Sequence, residues 1–331
     1  MTTNTTQLLE GVPAVLDVIF LTYYYGMFLL IACVNVPGNI LVIVTVLRHE
    51  PLRQPCNYYI SSLAVSDLIL GFVYPLYNIS HIGIPAITCP LGKWSVCRIL
   101  VSQVLALEIC SSYHLVAITV TRYIAIVHPL RYHHYITTRS TAIWIPIIWV
   151  LSEGVAVAQY TFYDPVDYKG ICQYELIFSL HHVGILFVIQ LFFPLSVMVG
   201  LYYKIARIAR RHAKVMSLHE PPRPSPFRIS FSRSSSILGR EVKSTIMVSI
   251  LLFSFAVGWT PMVIYFFVSI ACETCHINRF IRASARILLY MTSAVNIFIY
   301  AGRLGDFREF IRRDLRKTFR CVVKRLQRNT N

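Results

Sequence analysis

The sequence predicts an all-α membrane protein, a bundle of seven transmembrane helices followed by a short amphipathic eighth helix. Of its 331 residues, 56% are hydrophobic and 14% are charged, whereas a soluble domain carries roughly 25% charged residues. Seven long apolar stretches recur along the chain, and most of the Lys and Arg residues follow the odd-numbered stretches. These observations exclude an ordinary soluble fold.

Each apolar stretch is long enough to cross a bilayer. A hydrocarbon core about 30 Å thick needs about 20 helical residues at a rise of 1.5 Å per residue. The stretches cover residues 18–46, 57–79, 97–124, 142–162, 177–206, 242–270 and 281–302. They predict one transmembrane bundle over residues 18–302, preceded by a tail of residues 1–17.

The positive charges predict the orientation of this bundle. Of the 31 Lys and Arg residues, 25 fall on one side of the predicted membrane, in the segments that follow the first, third, fifth and seventh spans. The positive-inside rule then places the N-terminus outside and the C-terminus in the cytoplasm of a multi-pass plasma-membrane protein. The net charge of +16 therefore faces anionic lipid or a cytoplasmic partner, and nucleic acid is not needed to explain it.

The cytoplasmic segments differ in composition. Residues 207–241 combine four prolines with a Ser- and Arg-rich run, which predicts a mobile loop because such a composition cannot bury a core. Residues 303–320 place apolar side chains such as Phe307 and Phe310 on one helical face, which predicts an amphipathic helix on the membrane surface. Residues 321–331 form the predicted cytoplasmic tail.

Three residues are candidates for covalent modification. Asn4 and Asn78 begin Asn-X-Ser/Thr acceptor motifs for N-glycosylation on the predicted extracellular side. Cys321 follows the amphipathic helix, where it is either a palmitoylation site or an ordinary reduced thiol.

Acidic residues inside the spans are costly and therefore suggest function. Asp67 lies mid-span, and Ser111, Ser293 and Asn296 are oxygen-bearing companions from other spans. This donor set suits a sodium ion, but a neutral or hydrogen-bonded carboxyl group is an equal alternative. Glu108 lies in the outer part of the third span, where it either contacts a ligand or bonds to a neighbouring helix.

A possible ion pair lies at the cytoplasmic end of the bundle. Arg122 ends the third span at the membrane boundary, where a long cation can extend towards water. Glu241 opens the sixth span on the same side. An Arg122–Glu241 pair would hold these helix ends together, and its release would let them separate.

Short motifs occur in all seven spans. They are Asn39 in GN, Asp67 in LAVSD, Thr121-Arg122-Tyr123, Trp149 in WVLS, Pro194 in FFP with Tyr202 eight residues later, Trp259-Thr260-Pro261, and Asn296 with Tyr300 in NIFIY. As an ordered set they resemble the rhodopsin-like G-protein-coupled receptors, over about residues 18–320. The resemblance implies a cell-surface receptor that converts binding of an extracellular small ligand into activation of a heterotrimeric G protein.

The resemblance also implies a role for each matched residue. The family arginine matched by Arg122 meets the G protein when the sixth helix swings out, and Tyr202 and Tyr300 stabilise that open state. Trp259 lies below the ligand, and Asp67, Ser111 and Asn296 fall on the family's sodium site. The implied switch residues are Thr121, Arg122, Tyr123, Tyr202, Glu241, Trp259, Pro261, Asn296 and Tyr300. Arrestin and receptor kinases are further expected partners.

Two disulfides are expected once the family is considered. Cys97 in KWSVC matches the family's cysteine at the top of the third span, which implies a bond to Cys172 in the second extracellular loop, an oxidising location. Cys272 and Cys275 could close a small bridge of their own.

The loops and the seventh span look most like those of adenosine receptors. The implied ligand cavity is bordered by Val104, Leu105, Glu108, Tyr174, Glu175, Trp259, Val263, Phe266 and Tyr290. Phe266 stands where adenosine receptors carry an asparagine, Val263 and Tyr290 where they carry histidines, and Glu108 where they carry a threonine. Val104 replaces the aspartate of amine receptors. The sequence therefore predicts an adenosine-receptor-like protein for another small amphipathic ligand, with a peptide or lipid ligand as the alternative.

Three departures from the family pattern concern switching. Thr121 replaces an acidic neighbour of Arg122, Gly258 replaces a cysteine, and Ile297 replaces the proline of the seventh helix. Loss of one of two acids beside Arg122 predicts raised basal activity, and a straighter seventh helix acts in the opposite direction.

Other functional classes have little support in the sequence. A membrane transporter would show internal repeats or matched broken helices, and none is visible. The adjacent histidines of residues 133–134 and 181–182 point to different helix faces and do not converge on a metal. We therefore expect no enzymatic activity and no cofactor, apart from an allosteric sodium ion.

Overall fold

A computed structural model describes most of the bundle. It covers residues 4–80, 92–161, 180–218, 246, 249–269, 272, 275, 277–303, 308–310, 312, 313, 316 and 320. Within this part of the chain, seven helices are long and apolar enough to cross a membrane. The predicted all-α bundle is confirmed, and the chain is a multi-pass membrane protein.

The helices follow the predicted spans closely. They are α1 (Asn4–Arg48), α2 (Pro55–Ser80), α3 (Gly92–Val127), α4 (Thr138–Thr161), α5 (Leu180–Phe187, Val188–Phe192 and Phe193–Leu218), α6 (Ser249–Ser269) and α7 (Arg279–Arg303). A 3₁₀ turn, Glu50–Leu52, follows α1, and a one-turn helix, Tyr132–Tyr135, follows α3. The described residues after α7 are helical and form α8, as predicted.

Two helices extend beyond the predicted spans. The first helix begins at Asn4, so residues 4–17 of the predicted N-terminal tail are helical and continuous with α1, and the apolar part that could cross a membrane begins at Val15. Asp17 forms an ion pair with Arg279 of α7, whose guanidinium group lies 4.8 Å from the ring centre of Phe20. These contacts hold the start of α1 against α7.

The second extension is at the end of α5. This helix continues to Leu218, so residues 207–218 are helical although they were predicted to lie in a loop. The segment is rich in Ala, Arg and Lys, which favour helix without being hydrophobic. A hydropathy profile alone therefore does not reveal this helical extension. Residues 219–241 lie outside the described residues.

The outward surface of the bundle is apolar. Phe253 and Val150 are about 70% exposed, and large aliphatic side chains on the other helices are also exposed. A soluble monomer rarely exposes so much contiguous apolar surface, whereas hydrocarbon tails accept it. Inside, α3 is central because it packs against α2, α4 and α5.

Helices α6 and α7 approach each other closely at Gly258. A Cβ atom added at this glycine would collide with Cγ2 of Thr292. Thr is β-branched and has few alternative rotamers in a helix, so the pair needs glycine at this position. The substitution that departs from the family pattern therefore permits close packing of these two helices.

A second close approach joins α1 to α7. Ile297 lies within α7, and its side chain lies directly against Gly38 of α1. The isoleucine that replaces the family's proline thus fills the space above a glycine. The α-helical assignment of α7 is continuous from Arg279 to Arg303.

We expect Gly258→Ala to lower the melting temperature of the purified protein, because overpacking costs about 1–3 kcal/mol. Gly200→Ala on α5 is the matched control, since nothing lies within 4 Å of its added Cβ. The double variant Gly258→Ala/Thr292→Ser should recover stability because serine lacks Cγ2. Equal melting temperatures for the wild type and Gly258→Ala would contradict the packing argument.

Candidate ligand cavity and switch residues

Two adjoining cavities lie inside the bundle. The upper cavity is the one nearer the start of α3, and the volume open to the centres of water molecules is about 50 Å³, enough for about four waters. Its walls are Tyr74, Tyr77, Val101, Val104, Leu105, Glu108, Leu186, Phe187, Gln190, Trp259, Met262, Phe266, Arg286 and Leu289. Apolar and aromatic side chains predominate, as in sites for small ligands.

Five of the predicted ligand residues border the upper cavity. They are Val104, Leu105, Glu108, Trp259 and Phe266. Val263 is half-buried on α6 and packs against the hydrophobic core without lining the cavity. Tyr174 and Glu175 lie outside the described residues.

Tyr290 also falls outside the upper cavity, contrary to the prediction. Its ring stacks on Tyr74 and Phe28 at centroid distances of 4.7 and 5.5 Å. Its hydroxyl group donates a hydrogen bond to the carbonyl oxygen of Gly71 over 3.2 Å. The side chain therefore packs towards α1 and α2, where it joins three helices.

Glu108 lies where α3 meets α5. Nε2 of Gln190 donates a hydrogen bond to Oε2 of Glu108 over 2.8 Å. This carboxyl group is bonded to a neighbouring helix and also borders the cavity, and its contact with a ligand stays a prediction. Oε1 of Glu108 accepts no hydrogen bond from the described residues.

A π-helical segment turns Gln190 inwards. It spans Val188–Phe192 and lies directly before Pro194. Proline has no backbone N–H, so the carbonyl group four residues earlier, that of Gln190, loses its α-helical partner. The hydroxyl group of Tyr113 on α3 donates to the neighbouring carbonyl of Ile189 over 3.2 Å. The FFP motif is therefore the sequence signal that could have revealed Gln190, since π-segments are frequent at functional sites.

Arg286 is a second site residue that the motifs do not indicate. It lies on α7, is 6% exposed, and borders the upper cavity. Its position inside an apolar span is itself a signal, because a buried cation in a membrane is costly and marks function.

The lower cavity surrounds Asp67. It is smaller, with about 30 Å³ open to water centres, and its polar walls include Ser254, Thr292 and Ser293. Oγ of Ser111 donates to Oδ1 of Asp67 over 3.1 Å, and Nδ2 of Asn296 donates to Oδ2 over 3.0 Å. The carboxylate thus joins α2 to α3 and α7, and two of its predicted companions, Ser111 and Asn296, contact it.

The two cavities share part of their walls. Glu108, Trp259 and Leu289 border both of them. A molecule in the upper cavity would therefore touch side chains that also face the Asp67 network. Among the described residues, no group of three or more His, Cys, Asp or Glu side chains could hold a metal ion.

This architecture agrees with a comparison against known families. The family model described as "7 transmembrane receptor (rhodopsin family)" matches residues 38–300. The chain belongs to this receptor family.

The curated relatives of this chain are of two kinds, and their names give different ligands. The receptor is 31% identical to adenosine receptor A2a of Homo sapiens, over 88% of this chain and 72% of the relative, and 30% identical to the Equus caballus protein, over 87% and 71%. It is 26% identical to octopamine receptor beta-1R of Drosophila melanogaster, over 92% of this chain. The chain spans 63% of the length of that octopamine receptor.

The far end of the receptor bundle carries the predicted switch residues. Thr121 is buried, and its hydroxyl group donates to the carbonyl oxygen of Ile118 over 2.7 Å and lies 3.5 Å from Sγ of Cys56. Arg122 and Tyr123 are half-buried beside it. Thr121 is therefore committed to its own helix and to α2. Glu241, the predicted partner of Arg122, lies outside the described residues.

Helices α5, α6 and α7 carry the remaining switch residues. The hydroxyl group of Tyr202 is hydrogen-bonded to Oγ of Ser249 on α6. Tyr300 is completely buried, and its hydroxyl group has no hydrogen-bond partner in the described part of the receptor. Pro261 lies half-buried on α6, directly before the cavity residue Met262.

The cysteines have distinct environments. A disulfide joins Cys272 to Cys275. Cys97 is disulfide-bonded, and its predicted partner Cys172 lies outside the described residues. Cys321, the predicted palmitoylation site, is also outside them.

The structure disfavours the glycosylation predicted at Asn78. This side chain is fully buried. Its Nδ2, the atom that would carry the glycan, donates to the carbonyl oxygen of Tyr74 over 2.9 Å, and its Oδ1 accepts from Tyr24 over 2.6 Å. Asn78 thus holds α1 to α2. Asn4 is the first residue of α1, and its modification stays a prediction.

We expect Tyr290→Phe to destabilise the receptor by about 1 kcal/mol, because it removes the hydrogen bond to Gly71 and keeps the ring stacking. Tyr290→Ala should cost about 3–5 kcal/mol, since the stacked ring is also lost. The melting temperatures of the two purified variants would show which substitution lowers the stability more. If the Tyr290→Ala variant is no less stable than the Tyr290→Phe variant, the proposed packing role of the Tyr290 ring is wrong.

Proposed function

We propose that this protein is a plasma-membrane receptor that binds an extracellular small ligand in the upper cavity and activates a heterotrimeric G protein through Arg122. The observation that carries the proposal is the shared wall formed by Glu108, Trp259 and Leu289. Through it, a bound ligand presses on side chains that also face the polar network joining α2, α3 and α7. Family membership supports the same conclusion.

The proposed orientation has the N-terminus outside and the C-terminus in the cytoplasm. The excess of Lys and Arg after the odd-numbered helices supports it. The described residues of α8 also support it, because Arg308, Arg312 and Arg316 are exposed while Phe310 packs against the core and stacks on His49 at 4.1 Å. A basic outer face of this kind suits an anionic inner leaflet.

In the proposed mechanism, outward movement of α6 replaces the contact between Tyr202 and Ser249 with a contact between Tyr202 and Tyr300. The Tyr202–Ser249 hydrogen bond holds α5 to α6 in this conformation. Outward movement of α6 breaks that bond and frees the Tyr202 hydroxyl group for Tyr300, whose buried hydroxyl group has no partner in the described part of the chain. A ligand shifts this equilibrium only by binding one state more tightly.

The ligand is proposed to be a compact amphipathic molecule. The names of the two kinds of relative give octopamine, an amine, and adenosine, a nucleoside. In this receptor the acidic group at the cavity is Glu108, and Phe266 provides an apolar wall where an amide would bind a nucleobase. A basic or hydrogen-bond-donating group of the ligand would therefore meet Glu108.

Arrestin and receptor kinases are proposed as further cytoplasmic partners, by analogy with the family. We propose no enzymatic activity for the receptor itself.

A sodium ion is proposed as an allosteric ligand of the lower cavity, held by Asp67 and Ser111 beside Asn296. The donor set fits such an ion, because one carboxylate and several hydroxyl groups border a small enclosed space and hard oxygen ligands suit small hard cations. A bound ion would supply positive charge that stabilises the Asp67 carboxylate between α2, α3 and α7.

We expect Arg122→Ala to abolish ligand-stimulated nucleotide exchange on the G protein, because the charge at the end of α3 is lost. Arg131→Ala is the matched control, since Arg131 is an exposed arginine on the same side of the bundle. Exchange would be measured in membranes with equal amounts of receptor at the cell surface. Normal exchange by Arg122→Ala would remove this residue from the mechanism.

We expect NaCl to raise the melting temperature of the purified receptor more than KCl at equal ionic strength. A ligand at ten times its Kd stabilises by about 1.4 kcal/mol. Asp67→Asn should abolish the difference between the two salts, whereas Glu153→Gln, outside both cavities, should retain it. Identical melting curves in the two salts for the wild type would end the sodium proposal.

We expect detectable ligand-free signalling that Thr121→Asp lowers. The carboxylate would add a charge-assisted contact to Arg122, and a partly exposed ion pair contributes about 0.2–1 kcal/mol, so the basal rate should fall by up to about fivefold. Basal nucleotide exchange measures the change, and Thr121→Asn is the uncharged control. A basal signal equal to that of untransfected cells in all forms would refute this expectation.

A further inference from the structure

We propose that Glu108 and Gln190 together form a site with two hydrogen-bond acceptors, which selects a primary ammonium group of the ligand at the floor of the upper cavity. Gln190 is then the residue that determines specificity, because it supplies the second acceptor. The inference rests on the proposed function only in that the upper cavity is taken as the ligand site. It adds to that function the number of N–H donors that the basic group of the ligand must carry.

The contact between the two residues fixes the orientation of the Gln190 amide. Nε2 of Gln190 donates a hydrogen bond to Oε2 of Glu108 over 2.8 Å. An amide donates only through its nitrogen, and a carboxylate only accepts. The nitrogen therefore faces Glu108, and the carbonyl oxygen Oε1 of the same amide is held as an acceptor next to the carboxylate.

The second oxygen of each group opens into the upper cavity. Oε1 of Gln190 and Oε1 of Glu108 accept no hydrogen bond from the described residues, and neither atom is fully enclosed by protein. Gln190 is only 3% exposed and borders the upper cavity, so the open side of its Oε1 faces that cavity. Because one hydrogen bond joins the two groups, both acceptors can serve the same ligand group.

The surroundings of these acceptors are apolar and aromatic. Trp259 and Leu289 border both cavities together with Glu108, which places all three at the floor of the upper cavity. Phe187 packs edge to face against Trp259 at a centroid distance of 6.5 Å. A buried N–H group that meets no acceptor is costly. Gln190 therefore supplies an acceptor to a second N–H group of an ammonium ion that is bound to Glu108.

The number of N–H donors distinguishes this site from an aromatic cage. A primary ammonium ion carries three N–H groups, a tertiary one carries one, and a quaternary one carries none. Aromatic rings attract all of these cations, including quaternary ones, and a single carboxylate attracts each of them by charge. A pair of acceptors instead predicts that affinity falls as methyl groups replace N–H groups at constant charge.

Arg286 is a second charged residue in the wall of the upper cavity. It borders the upper cavity and not the lower one, and it precedes Leu289 by three residues, which is about 4.5 Å along α7. The arginine thus begins one turn of α7 above the floor. The position of the ammonium group is set by Glu108 and Gln190 and does not depend on the contacts that Arg286 makes.

The first test changes the number of donors at constant charge, on the purified full-length receptor. The probes are 4-methylbenzylamine, its N,N-dimethyl and N,N,N-trimethyl derivatives, and the neutral 4-methylbenzyl alcohol. We expect the Kd to rise about tenfold from the primary amine to the trimethyl cation, because hydrogen bonds to charged groups are strong. Thermal-shift titration and saturation-transfer NMR would measure it. Equal or tighter binding of the trimethyl cation would overturn the inference.

The second test assigns the two acceptors to their residues. Gln190→Met keeps an unbranched side chain of similar length and removes the amide oxygen, so the preference for the primary amine should fall from about tenfold to about twofold. Glu108→Gln should weaken all three cations about tenfold, because the charge is lost. The neutral alcohol should bind both variants like the wild type. If Gln190→Met keeps the full preference, the preference arises from the size of the methyl groups and the inference is wrong.

The receptor contains a matched control pair. Nε2 of Gln103 on α3 donates to Oε2 of Glu153 on α4 over 3.1 Å, which is the same bond between the same residue types. Neither residue borders either cavity. Gln103→Met and Glu153→Gln should therefore bind all four probes like the wild type. The same loss of preference in these variants would show that the probes bind elsewhere and would contradict the inference.

The neutral probe separates a binding role of Gln190 from a structural one. General damage to the fold would weaken all four probes equally and would lower the melting temperature of the ligand-free Gln190→Met variant. That pattern, in place of the selective one, would overturn the inference. The proposed function has its own test in Arg122→Ala. Loss of nucleotide exchange in that variant, together with no preference for the primary amine, would reject the ammonium site and leave the receptor function standing.

Discussion

The carboxylate of Asp67 is the point on which the middle of the bundle depends. It is almost completely buried, and each of its oxygens accepts a hydrogen bond from another helix, from Ser111 of α3 and Asn296 of α7. Its own backbone carbonyl accepts from Asn35 of α1 over 2.8 Å. Lipid offers no replacement for these bonds, because polar groups in hydrocarbon must be satisfied within the protein. Four helices are thereby held in register around one residue.

The upper cavity follows from a second departure from regular packing. Pro194 deprives α5 of a backbone donor, the helix loosens into the π-segment Val188–Phe192, and Gln190 turns towards Glu108. The cavity lies between aromatic walls, and both Glu108 and Arg286 line it. The candidate site is thus built from a backbone irregularity, the half-buried acid Glu108 and the buried Arg286.

Small residues determine how α1 and α6 meet α7. Gly258 lets α6 approach Thr292 of α7, and Gly38 receives the side chain of Ile297. Both Gly258 and Ile297 depart from the family pattern, and each lies at a contact of α7. Thr121, the third departure, bonds to Ile118 on its own helix. The three departures from the family pattern therefore lie at contacts of α3, α6 and α7 in this structure.

The sequence by itself determined the seven spans, their amphipathic continuation and the family, because long apolar runs and ordered motifs depend on local chemistry alone. It also identified Asp67 and its companions, since an acidic residue within an apolar span is recognisable without knowledge of its spatial neighbours. The tertiary structure alone decided that Tyr290 packs on Tyr74 and Asn78 holds Tyr24. It also brought Gln190 and Arg286 to the same cavity as Glu108. Which face of a helix meets a neighbour depends on rotation and packing, and residues 82 or more positions from Glu108 along the chain become its neighbours only when the helices assemble.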